Sequence, residues 1–147
     1  MSLLLLLALA GCAGRVTGVV QIESGGGVKL VEAEGDSLRL RLDESSEPLR
    51  RLEDCTVELR GPRLAGQLVV RDWSIVAAAD GSAPYWGRLH VEGLQVMLDD
   101  RGTGSVILME EASGGALRAF DGQLVMVIGV IVAPHVVRVM GYEVLAP

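Results

Sequence analysis

Ser37 stands in Gly35-Asp36-Ser37-Leu38, and a serine beside an acid on a glycine turn is a natural place to look for a nucleophile. Its hydroxyl would need a base within hydrogen-bond reach, the role a histidine steered by an acid fills best. The chain has two histidines, His90 and His135, far from Ser37 and from each other in sequence. With no cysteine pair beside them, they also make a poor start for a metal site. The carboxylate pairs Asp99-Asp100 and Glu110-Glu111 flank Arg101-Gly-Thr-Gly104 and read as the solvated ends of a hairpin. They lack the oxygen-rich loop spacing of a calcium site. Nineteen acidic residues offer no distinguished pair for glycoside hydrolysis, because any two would do.

The tetrapeptide resembles the signature of the GDSL esterases and lipases. That resemblance implies an α/β domain in which the serine follows an apolar strand and opens a helix. It also implies an Asp-x-x-His base and an oxyanion asparagine. Here Val31-Glu-Ala-Glu34 precedes the motif, and Leu38, Leu40 and Leu42 alternate after it with Arg39 and Arg41, which is the period of a strand. Gly87 and Val132 stand three residues before the histidines, and the chain contains no asparagine. Ser37 reads as the residue after a turn, so no catalytic residue, metal or cofactor is expected.

Adjacent Tyr85 and Trp86 are the remaining chemical candidates. On a strand they point to opposite faces, so one ring would be free to stack on a small ligand or glycan. The plainer reading places both rings in a seam between two packed units. His135 and Arg138 would line a groove only if the fold brought them to those rings.

The elements that would position these residues are short strands bounded by glycine. Strands are predicted around Val16–Ile22, Val28–Ala33, Ser37–Asp43, Thr56–Arg60 and Gln67–Val76, the last with a bend near Asp72 where its apolar parity shifts. Ser24-Gly-Gly-Gly27 reads as a turn between the first two. A shift of 68 positions sets Ser37–Val76 on Ser105–Val144, matching Leu49 with Leu117, Val57 with Val125 and Gly61 with Gly129. A one-residue slip in the last strand also lays Trp73 over Tyr142. This is the signature of an internal repeat.

Each copy carries one short helical segment, Glu47–Asp54 or Gly115–Gly122, giving the order β-β-β-α-β-β. That order resembles the OB-fold, and the resemblance implies two tandem small β-barrels in a mainly β chain. Another small barrel, or one sandwich of two half-repeats, fits the same pattern. The expected boundaries are 16–77 and 85–147, joined by a connector at 78–84. The first copy alternates apolar with charged residues, whereas Leu124–Ala133 is apolar on both faces and must be covered on both.

Ahead of the repeats stands Met1-Ser-Leu-Leu-Leu-Leu-Leu-Ala-Leu-Ala-Gly-Cys12. Its apolar run is too short to span a bilayer, which takes ~20 residues, and has the length of a signal-peptide core. Leu9-Ala10-Gly11-Cys12 resembles the lipobox of bacterial lipoproteins. The resemblance implies a signal peptide at 1–11, acylation of Cys12 and a tether at 12–15. With no aspartate at Ala13 or Gly14, it also implies an outer-membrane address facing the periplasm or exterior. Cys55 is then left without a partner and reads as a small buried hydrophobe; a Cys12–Cys55 disulfide belongs only to the alternative without acylation.

The net charge of −6 disfavours nucleic-acid partners, whose phosphates call for Lys and Arg. The expectation is a membrane-anchored, non-catalytic binding or assembly module. Its partner would be an envelope protein or a second copy. A small-ligand or glycan receptor is the alternative, and a serine esterase a distant third.

Overall fold

The computed structural model describes residues 14–147; Cys12 and the segment before it lie outside them. The chain is mainly β. In its first half β1 (Gly14–Ile22), β2 (Val28–Val31) and β3 (Ser37–Arg41) form an antiparallel meander. A 3-10 helix, Glu47–Arg51, follows and carries Pro48 in its first turn, where a fixed φ is suited. Then come β4 (Thr56–Gly61), β5 (Arg63–Leu64), β6 (Gln67–Val69) and β7 (Asp72–Ala77). The seven strands lie in the order β5-β6-β3-β2-β1-β4-β7, with β6 parallel to β3. The long strand expected over Gln67–Val76 is thus two pieces, broken at Val70-Arg71, where the alternation changes.

The second half comprises β8 (Tyr85–Glu92), β9 (Gln95–Asp100), β10 (Val106–Met109), a helical turn (Glu111–Gly114) running into a 3-10 helix (Gly115–Phe120), β11 (Leu124–Ala133) and β12 (Val136–Ala146). These five strands close into a barrel in the order β10-β12-β11-β8-β9. Here too the third strand has a parallel neighbour, β12, with Met109 beside Val137 as Leu40 on β3 is beside Leu68 on β6.

The repeat shows in the hydrogen bonds. Val20 N–H donates to Cys55 O and Asp54 N–H to Val20 O; in the second half Leu89 N–H donates to Gln123 O and Gly122 N–H to Leu89 O. Leu59 faces Trp73 across β4–β7, and Val127 faces Tyr142 across β11–β12, which is the one-residue slip predicted from sequence. The third strand corrects the ungapped alignment. Leu38 and Leu40 are buried on β3, but Ile107 and Met109 are buried on β10, so the true offset there is 69. Only one face of a half-buried strand meets the core, and a single-residue slip exchanges the faces.

One further expectation changes, the extent of the tether. Gly14 and Arg15, read as tether, open β1 opposite Gly61 and Arg60. The connector is a turn closed by Gly81 N–H to Ala78 O, with Asp80 accepting from Ser82.

The two halves share a core. One buried cluster holds Val20, Leu30, Leu49, Leu52, Cys55, Val57 and Leu59 of the first half together with Trp86, Leu124, Met126 and Leu145 of the second. A second cluster, with Leu89, Leu98, Leu117, Val125 and Val127, lies inside the closed barrel. Strand β11 therefore turns alternate side chains into different cores: Leu124 and Met126 outward onto the first half, Val125 and Val127 inward. In the first half the repeat-equivalent positions of Trp86, Leu124, Met126 and Leu145 are Thr17, Thr56, Glu58 and Val76, and none of these is buried.

Candidate functional site

The seam is built around two stacked indoles. Trp73 on β7 and Trp86 on β8 have ring centroids 4.9 Å apart and planes inclined by 25°. Trp86 is 3% exposed and its indole N–H has no acceptor among the described residues. Trp73, half-buried, donates from Nε1 to Ser45 O at 3.0 Å. The Arg101 guanidinium lies over the Trp86 ring, 5.5 Å from its centroid, in cation–π geometry. Beside the stack runs a broad cleft of about 1060 Å³. One wall is the turn and 3-10 helix from Asp43 to Arg51; the other carries Arg88, Arg101, Leu124 and Leu145.

The charges of this cleft are unequally committed. Arg50 pairs with Glu47 at 2.6 Å and also donates to Gly26 O. Asp43 accepts from Ser45 Oγ and Ser46 Oγ, which hold its carboxyl below the ordinary carboxylate range. Arg51, Arg88 and Arg101 enter no ion pair among the described residues, although Arg88 donates from Nη1 to Gly122 O at 2.7 Å.

A second surface lies at the far end of β11. Pairing with β8 stops at Val127–Tyr85, because Pro84, next in register, has no N–H to donate. Among the described residues, β11 from Ile128 to Ala133 is held only by β12, and its other edge is open there. The side chains there are apolar and bare: Val130 is 52% exposed, Ile131 65% and, across a bulge on β12, Met140 69%. Within the chain this run is covered on both faces over Leu124–Val127 and not beyond.

The chemical residues singled out from sequence are dispersed. Ser37 is exposed at the start of β3, whereas His90 lies on β8 and His135 at the β11–β12 turn with φ 59°. His90 Nε2 meets the Asp99 carboxylate at 2.6 Å on the surface. Arg138 forms a two-point bond to Glu110, not a groove with His135, and this pairing holds the Glu110 carboxyl below its usual range. Asp100, read as a solvated hairpin end, is 3% exposed. It accepts from the backbone N–H of Trp86 and Thr103 and from the Thr103 hydroxyl, which pins the turn into β10.

Tyr85 is half-buried against the barrel core, and Trp86 lies in the seam with no face open to a ligand. The ring that borders the cleft is Trp73, which sequence reasoning treated only as a repeat marker. Cys55 is buried and unpaired. Among the described residues no three His, Cys, Asp or Glu side chains gather as metal ligands, and no helix is long and apolar enough to cross a membrane.

No protein-family model matches the chain, and no curated protein matches it. A crystal structure of the tetrameric p202 HIN2 aligns over 90% of this chain and 94% of its own, at 12% identity and a TM-score of 0.30. A likeness that low carries no argument about fold or function.

Proposed function

We propose that the chain is a non-catalytic binding or assembly module of the cell envelope, built as two tandem OB-like barrels and held to the outer membrane by an acylated Cys12. Support for a first barrel comes from the way its sheet ends. One end is β5-β6 and the other is β4-β7, yet β4 runs into β5 through Pro62 and β6 into β7 through Val70-Arg71. The same hairpin thus supplies both edges, as when an OB-like sheet wraps round on itself. The anchor rests on the lipobox sequence alone.

The observation that carries the assembly reading is the bare, open-edged end of β11. An unpaired edge with apolar side chains on it is a template for another strand, and proteins that do not use such an edge blunt it with charge or proline. Here neither interrupts Ile128–Ala133. Val130, Ile131 and Val132 are 52%, 65% and 40% exposed and alternate between the two faces of β11, and Met140 is 69% exposed. The occupant of this edge is a strand of a partner envelope protein, apolar on both faces, added beside β11.

Detergent extraction from native membranes tests this with three chains: the natural one, Cys12→Ser and Ile131→Lys. A stoichiometric partner recovered with the natural chain and lost from Ile131→Lys, which keeps its lipid, is the expected result. If the purified natural chain instead sediments as a dimer that Ile131→Lys dissociates, the occupant is a second copy. Equal recovery with and without the lysine would remove the hairpin from the proposal, and an unacylated Cys12 would remove the anchor.

A further inference from the structure

We propose that the seam cleft is a binding site for a small oxyanion, a phosphate or carboxylate joined to a flat apolar group. This goes beyond the assembly reading and is independent of it, since the cleft and the β11 end share no residue. A chain of net charge −6 has few cations to spare. Six of its arginines, at 15, 39, 60, 63, 71 and 138, are matched to a carboxylate, and Arg50 to Glu47. Of the five unmatched ones, Arg51, Arg88 and Arg101 border the same cleft.

They reach it from three separate places: the end of a 3-10 helix, the middle of β8 and the turn after β9. Local sequence has no part in bringing them together; the packing of the two halves does. Opposing carboxylates leave room for an anion. Asp43 is turned toward Ser45 and Ser46, and Glu47 is taken by Arg50, so only Glu44 is uncommitted on that wall.

A guanidinium offers paired N–H donors in the spacing of a carboxylate or phosphate edge, and several of them around one cleft bind an anion better than isolated surface ammonium groups. Trp73 supplies the flat apolar wall. Its Nε1 is held by Ser45 O, so the ring is fixed in place before any ligand arrives. Arg101 is likewise held, over Trp86. An aromatic or sugar ring on Trp73 with its anionic group toward Arg51 and Arg88 would use both features.

The two tryptophans, the only ones in the chain, report on this cleft directly. Tryptophan emission would be followed while the full acylated chain in detergent is titrated with phenyl phosphate, benzoate and benzyl alcohol. The expected result is a saturable change with either anion and none with the alcohol. Binding should weaken at least tenfold in Arg51→Gln/Arg88→Gln, fall with added salt, and survive in Arg41→Gln, an unmatched arginine outside the cleft. All three arginines are exposed, so circular dichroism should show these variants fully folded.

Phosphatidylglycerol vesicles that compete with phenyl phosphate would locate the natural anion on a lipid headgroup; vesicles that do not compete leave it a soluble compound. An equal response to benzyl alcohol would overturn the proposal. So would anion binding indifferent to Arg51 and Arg88, or no saturable change at millimolar ligand.

Discussion

Cys55 shows how burial alters one group. Desolvation raises its thiol above the ordinary value of 9.0, with the nearby carboxylates of Asp54 and Asp80 adding to the effect. A raised value means the folded state holds the proton more tightly than the unfolded one. The resulting stability is fully present below the ordinary thiol value and is lost as pH rises through the folded one. Melting temperatures measured from neutral to alkaline pH should therefore decline more steeply above pH 9 in the natural chain than in Cys55→Ala, and parallel curves would count against it. That burial was legible in the sequence, since an unpaired cysteine on an apolar strand behaves as a small hydrophobe. The fate of Asp100 was not. Asp99 and Asp100 look alike in a polar stretch, and the one clue was Thr103 three residues on, at the distance where an aspartate closes a turn.

At the level of the strand, glycines divide by what their missing Cβ would meet. At Gly61 it would run into the carbonyl of Val69, and at Gly87 into that of Asp99, both rigid backbone. Gly115 meets nothing and has ordinary helical φ of −58°. Alanine at Gly61 or Gly87 should cost about 2–3 kcal/mol, as overpacking does, whereas Gly115→Ala should be neutral or gain about 0.5 kcal/mol. Urea midpoints of the three variants check this, and a tolerated alanine at Gly61 would show that the barrel corner is looser than it looks.

Strand periods, both helical segments and the β12 slip were readable because they depend on local alternation. The break at Val70-Arg71 and the offset of β10 were not. They arise where a strand must serve two neighbours at once, and no local pattern records the second neighbour. For the same reason the cleft arginines were invisible: Arg51, Arg88 and Arg101 meet only through the seam.

Across the whole molecule, the shared core makes the halves one cooperative body. Trp86 belongs to the second half in sequence and to the first half's core in space, so Trp86→Ala should destabilise both by about 3–5 kcal/mol. Calorimetry should show a single transition shifted down as a unit; two transitions with only one displaced would contradict the shared core. The repeat was visible from sequence, and so was the unusual apolarity of β11. What sequence left open was how far the first half covers it, which packing alone decides.

The unequal outer faces of the two copies bear on how many units such a chain can string together. The second copy lays Trp86, Leu124, Met126 and Leu145 on its predecessor, while the first presents Thr17, Thr56, Glu58 and Val76 at the same stations. Repeated head to tail, identical faces would make an open-ended filament. With Glu58 where Met126 would have to be, the first copy does not offer the apolar face that makes the joint in the second, so the two copies are not interchangeable in such a series.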